Sequence, residues 1–297
     1  MYRNYFFNGG RSQDPPPSHP QKGYSGTLTG LFAKIAKDNS PLLGQLVYEA
    51  PHLANDVWAS RLYCDPKPLC KLSVPWSNPE VSTVESTEIR VVSYDALDCA
   101  HWLFRTGRMD VAVLNMADPN RPGGDYDRGG SGLEESLCRR STLHVSLTRW
   151  GFYPLPPHSA IYSRNVLVVR KPDYKRCEEL HRNERWCVDI ISVAGHWPRL
   201  HYFRTDASLT REDKEEMREH IRVMFRVAAW EQRKNLVVGA YGHYAFDNHR
   251  TEVAILFREV LSEREFKGRF QGIWFVVVTA HSLYSEPFYE ELQCLRI

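Results

Sequence analysis

Residues 111–135 read VAVLNMADPNRPGGDYDRGGSGLEE, which is an apolar run, a glycine-rich loop and two adjacent glutamates. Five of the 18 glycines of the chain fall between positions 123 and 132. Such a loop can adopt positive φ angles and lets backbone amides approach a ligand closely. Glu134 and Glu135 begin a predicted helix, where the helix dipole favours their charged form. Taken alone, the segment fits either a ligand site or a surface loop that ends in acidic helix-start residues.

The alternation of strands and helices continues on both sides of this segment. Apolar runs that predict buried strands lie at residues 89–94, 111–114, 166–169, 189–194, 236–240 and 273–278. Helical patterns begin at Asp95, at about Glu134 (to Trp150), at Thr210 (to about Lys234) and at Thr251 (to Leu261). Continuously apolar strands predict an α/β sheet covered by helices on both faces. Ligands of such folds bind at the carboxyl ends of the strands.

The N-terminal third has a different character. Residues 1–30 carry four prolines among Gly, Ser and Gln, and this composition predicts a flexible arm. Residues 31–87 predict an extension that packs on the core, with a short helix at residues 31–37 and irregular structure after it. Residues 88–297 are expected to form the main domain.

Composition excludes several classes of protein. The chain has 297 residues, 25% of them charged, and a formal net charge of +2, so we expect no direct sequence-specific binding to nucleic acid. Seven cysteines without a CxxC pair and 12 histidines without an HExxH motif predict neither a disulfide framework nor a metal site. Since no apolar run reaches about 18 residues, we expect no membrane span and an intracellular location, cytoplasmic or nuclear.

Two spaced motifs resemble those of one known family. Residues 113–118 (VLNMAD), 122–125 (PGGD), 133–135 (LEE) and 137–143 (LCRRSTL) are similar to V-L-N-x-A-N, P-G-G-G, Q-E-E and L-C-R-R-S-T-L. Residues 239–248 (GAYGHYAFDN) are similar to G-A-W-G-C-G-x-F-G-N. The chain thus resembles the microbial-type poly(ADP-ribose) glycohydrolases, a branch of the macrodomain fold. The loops contain neither a GxGxxG fingerprint nor a P-loop.

This resemblance implies a three-layer α/β/α macrodomain-like fold with a mixed, mostly parallel sheet. It implies an ADP-ribosyl glycohydrolase that cleaves ribose–ribose bonds of poly(ADP-ribose) and releases ADP-ribose. Glu135 would be the general acid/base, and Glu134 would hold ribose hydroxyls. The implied substrate-binding residues are Asn115, Asp118, Gly123, Gly124, Asp125, Gly239, Tyr241, Gly242, His243, Tyr244, Ala245, Phe246 and Asn248. No cofactor or metal is implied, and we expect a monomer that acts on poly(ADP-ribose) or on ADP-ribosylated protein.

The chain departs from the family pattern at five positions. Asp118 replaces an Asn, Asp125 replaces a Gly and Leu133 replaces the Gln before the glutamates. In the second loop, Tyr244 and Asp247 replace glycines. These changes keep two alternatives open: a macrodomain that binds ADP-ribose with little or no turnover, and a hydrolase of mono-ADP-ribosyl linkages.

Overall fold

The structure, a computed structural model, describes residues 26–67, 86–194, 209–239, 250–277 and 286–297. The helices are α1 (Gly26–Glu49), α2 (Pro51–Trp58), α3 (Ala96–Arg105), α4 (Leu133–Arg140), α5 (Leu143–Thr148), α6 (Arg211–Trp230), α7 (Arg250–Leu261) and α8 (Glu286–Leu292). The strands are β1 (Arg61–Cys64), β2 (Glu88–Val92), β3 (Val111–Ala117), β4 (Ser159–Val168), β5 (Trp186–Ala194), β6 (Asn235–Gly239) and β7 (Gly272–Val276). None of the helices in these ranges has the length and apolar character needed to cross a bilayer.

The seven strands form one mixed sheet in the order β1-β4-β5-β3-β6-β7-β2. The pairs from β5 to β2 are parallel, whereas β1 with β4 and β4 with β5 are antiparallel. The expectation of a mixed, mostly parallel sheet is therefore confirmed. The carboxyl ends of five neighbouring strands lie along one edge, where β3 and β6 end beside each other.

Helices cover both faces of the sheet. Along β3, Ala112 and Leu114 enter one core with α6, α7 and α8, while Val113 and Ala117 enter the other core with α3, α4 and α5. This alternation follows from the two-residue period of a strand. Because both faces of the sheet are buried, consecutive residues of a strand must all be apolar. This explains the continuously apolar strands in the sequence.

The N-terminal extension is more regular than its composition predicted. Residues 26–30, assigned to the flexible arm, belong to the 24-residue helix α1, which contains Pro41. Residues 61–64 form the edge strand β1 and pair with β4. Carbonyl groups of α1 approach the glycine-rich loop so closely that a Cβ on Gly129 would collide with the carbonyl oxygen of Thr29. The extension therefore supports the loop directly. Residues 1–25, and the boundary of any arm within them, lie outside the described residues.

The helix predicted from Glu134 to Trp150 is divided into α4 and α5. Ser141 between them is extended, with φ −149° and ψ 178°, and forms an isolated bridge with Val168. Thr142 Oγ1 accepts a hydrogen bond from the backbone N–H of Leu167 (3.0 Å). Hydroxyl side chains that bond to a strand compete with the helical pattern, and the helix breaks there.

Two predicted helix starts are confirmed in detail. The side chain of Asp95 accepts a hydrogen bond from the N–H of Asp98 (3.0 Å) and begins α3. Thr210 begins α6 and forms a capping box with Asp213. Both caps satisfy backbone donors that a helix N-terminus otherwise leaves unpaired.

Candidate functional site

The glycine-rich loop and helix α4 place two glutamates at the carboxyl edge of the sheet. The loop leaves β3 at Ala117 and ends where α4 begins, with Glu134 and Glu135 in its first turn. Strand β6 is the neighbour of β3, and its last residue, Gly239, lies at the same edge. The glycine-rich loop and the first residue of the second motif therefore lie at one end of the sheet, as the positions of their strands require.

Glu134 is the buried member of the pair, with 5% of its surface exposed. Its Oε2 accepts a hydrogen bond from the backbone N–H of Asp118 (2.7 Å), and its Oε1 accepts one from the N–H of Gly123 (3.1 Å). Burial raises the pKa of Glu134 to about 8, although the bond from Asp118 opposes this shift; the nearby Glu135 adds to it. Burial thus favours the neutral form of Glu134, and its two hydrogen bonds hold residues 118 and 123 of the loop against α4.

Glu135 is half-buried and is enclosed by glycines. Its Oε1 accepts a hydrogen bond from the N–H of Asp125 (3.1 Å). A Cβ on Gly124 would lie 2.7 Å from Glu135 Oε1, a Cβ on Gly130 would lie 2.9 Å from its Cγ, and one on Gly132 would collide with its Oε2. Any larger residue at these glycines would displace the carboxylate. The loop therefore needs glycine here chiefly for close approach.

Two residues predicted to contact ribose, Asn115 and Asp118, form hydrogen bonds within the protein. Asn115 on β3 is fully buried, and its Nδ2 donates to Ser192 Oγ (3.0 Å). Its Oδ1 has no hydrogen-bond partner among the described residues. Asp118 Oδ1 accepts from the N–H groups of Asn120 (2.7 Å) and Arg121 (2.9 Å), the pattern of an Asx turn. Both side chains thus stabilise the strand end and the turn. Their contacts with substrate stay a prediction.

The charge of Asp125 is balanced within the loop. Arg121 donates to the Asp125 carboxylate (2.8 Å) and to the carbonyl of Gly124 (2.8 Å), and Arg128 lies 3.5 Å from Asp125. The φ angle of Asp125 is −93°, which any residue can adopt. An aspartate in place of the third glycine is therefore compatible with the loop conformation.

Leu133 contacts the end of strand β6. A Cβ on Gly239 would collide with Leu133 Cδ2, so the leucine side chain lies directly on the backbone at the end of β6. The remaining residues predicted in the second loop lie outside the described residues: Tyr241, Gly242, His243, Tyr244, Ala245, Phe246 and Asn248.

A buried arginine donates a hydrogen bond to the glycine-rich loop and stabilises it. Arg139, fully buried, donates to the carbonyl of Gly130 and to Asp173 Oδ2 (2.6 Å), and its guanidinium lies 4.0 Å from the ring centre of Phe32 on α1. The Arg139 guanidinium outweighs burial and lowers the pKa of Asp173. The neighbouring Cys138 is buried, and burial raises the pKa of its thiol, as expected of a structural cysteine.

Sequence reasoning missed Tyr153. Its hydroxyl is buried without a hydrogen-bond partner among the described residues, and burial, reinforced by the Glu134 carboxyl, raises its pKa well above its usual range. No motif marks this tyrosine in the sequence. Among the residues that the structure describes, one group could hold a metal ion: His158, Glu216 and His220. It includes α6 residues and therefore lies on the other face of the sheet from α4.

Comparison with known proteins points to one family. The family model described as "Microbial-type PARG, catalytic domain" matches residues 47–171, which include the glycine-rich loop and both glutamates. No curated protein sequence matches the chain.

Solved structures extend the similarity over most of the chain. The poly(ADP-ribose) glycohydrolase of Thermomonospora curvata is 24% identical, with a TM-score of 0.69, and the match covers 88% of this chain and 98% of that one. The poly(ADP-ribose) glycohydrolase of Deinococcus radiodurans in complex with ADP-ribose is 27% identical, with a TM-score of 0.66 and coverage of 82% and 97%. The T. curvata enzyme bound to the inhibitor ADP-HPD is also similar, at 24% identity with a TM-score of 0.66 and coverage of 87% and 98%.

Proposed function

We propose, since the chain is a divergent member of the microbial-type poly(ADP-ribose) glycohydrolase family, that it hydrolyses the ribose–ribose O-glycosidic bonds of poly(ADP-ribose) and releases ADP-ribose. The observation that carries this proposal is the placement of Glu134 and Glu135, held by backbone amides of the glycine-rich loop at the carboxyl edge of the sheet. Two carboxyl groups in different environments are what acid/base cleavage of a glycoside requires.

Glu135 is the proposed general acid and base. In its protonated form it gives a proton to the ribose oxygen that leaves, while the C–O bond breaks and positive charge develops at the anomeric carbon. The resulting carboxylate then takes a proton from the water that attacks this carbon, which restores the acid. The half-buried position and the single backbone donor to Oε1 support this role, because the carboxylate keeps free lone pairs that can face a substrate.

Glu134 is the proposed positioning residue of the pair. Both of its oxygens accept backbone N–H groups, so it fixes the loop around the substrate, and a ribose hydroxyl would share these oxygens. Because burial raises its pKa, a negative charge on Glu134 beside Glu135 is disfavoured. This arrangement lowers the cost of bringing an anionic diphosphate to the site.

ADP-ribose is the proposed ligand of the edge formed by both loops. The D. radiodurans neighbour holds ADP-ribose, and the glycine-rich loop of this chain matches the family's motif. The backbone amides of the loop from Gly239 onward are proposed to bind the diphosphate, with Phe246 against the distal ribose. Binding of the polymer on modified proteins, and action as a monomer, are part of the same proposal.

Substitution of Glu135 by Gln tests the function. The wild type and Glu135→Gln are incubated with labelled poly(ADP-ribose), and release and binding of ADP-ribose are measured in parallel. We expect the substitution to lower release by about 10²- to 10⁴-fold, the usual contribution of a general acid, and to leave binding within a few-fold. Glu212→Gln, which changes an exposed glutamate in the first turn of α6, is the matched control and should keep full activity.

Three outcomes would contradict the proposal in different ways. Binding without release by the wild type indicates a macrodomain that only binds ADP-ribose. Release from mono-ADP-ribosylated protein but not from the polymer indicates the other linkage. Equal release by wild type and Glu135→Gln excludes Glu135 as the acid.

A further inference from the structure

Two histidines and a glutamate from distant parts of the sequence converge at the start of β4. His158 precedes this strand, and Glu216 and His220 lie one turn apart on α6. One potential ligand atom from each residue lies within 4.8 Å of the other two, and His158 Nε2 is 3.0 Å from Glu216 Oε1. The rings of His158 and His220 pack edge to face with centroids 5.3 Å apart. The spacing of residues 216 and 220 places both side chains on one face of α6.

His220 is held in the tautomer that a metal ligand requires. The residue is fully buried, and its Nδ1 lies 2.9 Å from the backbone carbonyl oxygen of Glu216. A carbonyl can only accept, so Nδ1 carries the proton and Nε2 has the lone pair. A ligating histidine in a protein typically donates its second ring N–H to a carbonyl or carboxylate in this way.

His158 is held in place by its backbone. Its φ angle is +52°, in the left-handed region, and its carbonyl accepts a hydrogen bond from the N–H of Asp65 (3.0 Å). A non-glycine residue in this region costs of order 1 kcal/mol and persists where surrounding structure requires it. The conformation turns the chain into β4 and directs the His158 ring toward α6.

We propose that His158, Glu216 and His220 form a binding site for a divalent transition metal of the Zn²⁺ class. Zinc binds imidazole nitrogen and carboxylate oxygen at about 2.0–2.2 Å, so tetrahedral ligand atoms lie about 3.4 Å apart. His158 Nε2 and Glu216 Oε1, 3.0 Å apart, form a hydrogen bond, so the metal would replace the proton between them and these atoms would move apart by about 0.4 Å. The side chains of His158 and Glu216 are 30% and 39% exposed and can close on the buried His220 by small rotations.

The chemistry of the ligands selects among ions. Two imidazoles suit Zn²⁺, Co²⁺ or Ni²⁺, whereas Mg²⁺ and Ca²⁺ prefer oxygen-only sites. Three protein ligands leave a fourth position for water. This proposal replaces the sequence-based expectation of no metal, and the separation of 58 residues between His158 and Glu216 explains why sequence spacing did not reveal the site.

A bound metal would link α6 to the segment that backs the catalytic loop. The backbone N–H of Leu155 donates to the carbonyl of Pro119 in that loop (2.7 Å). His158 is three residues farther along the same segment. The metal would therefore tie residues 153–158 to α6 and stabilise the wall of the site without contacting substrate.

Metal titration of the full-length chain tests the site. The protein is treated with a chelator, dialysed and titrated with Zn²⁺, Co²⁺ and Mg²⁺, while Tm and visible absorption are recorded. We expect one equivalent of Zn²⁺ to bind and to raise Tm by about 5 °C at a hundredfold excess over Kd. Co²⁺ should give the d–d absorption of a site of low coordination number without a thiolate charge-transfer band, and Mg²⁺ should give no shift.

Two ligand variants and one control make the test specific. His158→Gln and Glu216→Gln each remove a ligand at a partly exposed position and should weaken Zn²⁺ binding by about 100-fold or more. His52→Gln changes an exposed histidine on α2 and should bind as the wild type does. Urea unfolding without metal verifies that each variant folds.

Several results would overturn the proposal. They are the absence of a Zn²⁺-dependent Tm shift in the wild type, an equal shift in both ligand variants, an equal effect of Mg²⁺, and a thiolate band with Co²⁺, which would assign the ion to a cysteine.

Discussion

Gly124→Ala is expected to lower activity strongly while changing stability only modestly. Gly124 has a φ angle of +57°, and its new Cβ would lie 2.7 Å from Glu135 Oε1 and 3.3 Å from Glu134 Oε2. An ordinary contact begins near 3.4 Å, so Glu135 Oε1 must withdraw by about 0.7 Å. The carboxylate is the far end of a flexible side chain and can do so at little cost.

The substitution is expected to affect catalysis more than stability. An alanine in the left-handed region costs about 1–2 kcal/mol of unfolding free energy. A catalytic group that is misplaced by about 1 Å can lose 10²-fold in rate. We therefore expect a loss of about 10- to 100-fold in kcat for release of ADP-ribose, which is more than the change in the folded fraction can explain.

Gly107→Ala separates backbone strain from displacement of the carboxylate. Gly107 follows α3 with a φ angle of +88°, and a Cβ added there would meet no atom within 4 Å. Both variants should lose similar stability in urea unfolding, but only Gly124→Ala should lose kcat. A Gly124→Ala enzyme with wild-type kcat, or an equal loss of kcat in both variants, would refute the assignment of Glu135.

Three further substitutions test the contacts around the site. Glu134→Gln should gain stability relative to wild type as pH rises, by about 1 kcal/mol per pH unit, in urea unfolding between pH 5 and pH 8. The folded pKa of Glu134, about 8, exceeds its ordinary 4.5, so its stabilising contribution is complete below pH 4.5 and is lost as pH rises through 8. Gly239→Ala should weaken ADP-ribose binding about tenfold in calorimetry through its collision with Leu133, and added Leu133→Ala should restore part of it. Asp173→Ala should lower the unfolding free energy by about 3–5 kcal/mol in urea, because Arg139 keeps its buried charge without a carboxylate.

Each of these expectations has a result that contradicts it. A pH-independent difference in stability between Glu134→Gln and wild type would refute the raised pKa of Glu134. Asp38→Ala breaks an exposed pair with Lys34 and should leave stability unchanged. If Asp173→Ala is equally harmless, Arg139 does not depend on that carboxylate. If added Leu133→Ala does not restore ADP-ribose binding, the collision with Leu133 is not the cause of the weaker binding of Gly239→Ala.

The main domain was predictable because the structure that each of its segments favours locally is also the structure that tertiary packing requires. Strand β3 lies in the middle of the sheet, so its residues are apolar on both faces and the sequence shows one continuous run. Asp95 and Thr210 cap helices with local bonds that depend only on the next three residues. The edge strand β1 has no such signal. Its burial is partial, and it is a strand because β4 offers it a partner.

The candidate site was predictable as a motif but not as a geometry. The clustering of glycines predicted a loop whose backbone can approach a ligand closely, whereas the structure shows that three of these glycines lie against Glu135. The resemblance gave the two glutamates different expected roles, but the difference in their surroundings depends on burial and on the amides of Asp118 and Gly123, which only the structure shows. His158 was missed for the same reason, because Glu216 and His220 are distant from it in sequence.

The departures from the family motif that the structure describes are compensated within the chain. Asp125 is paired with Arg121, and its carboxylate is turned to that guanidinium while its N–H still reaches Glu135. Leu133 replaces an amide with an apolar side chain that rests on the backbone of Gly239. Both changes leave the hydrogen bond to the proposed catalytic carboxylate of Glu135 intact and alter what surrounds it. Divergence in this member should therefore appear in substrate affinity and linkage preference before it appears in the acid/base step.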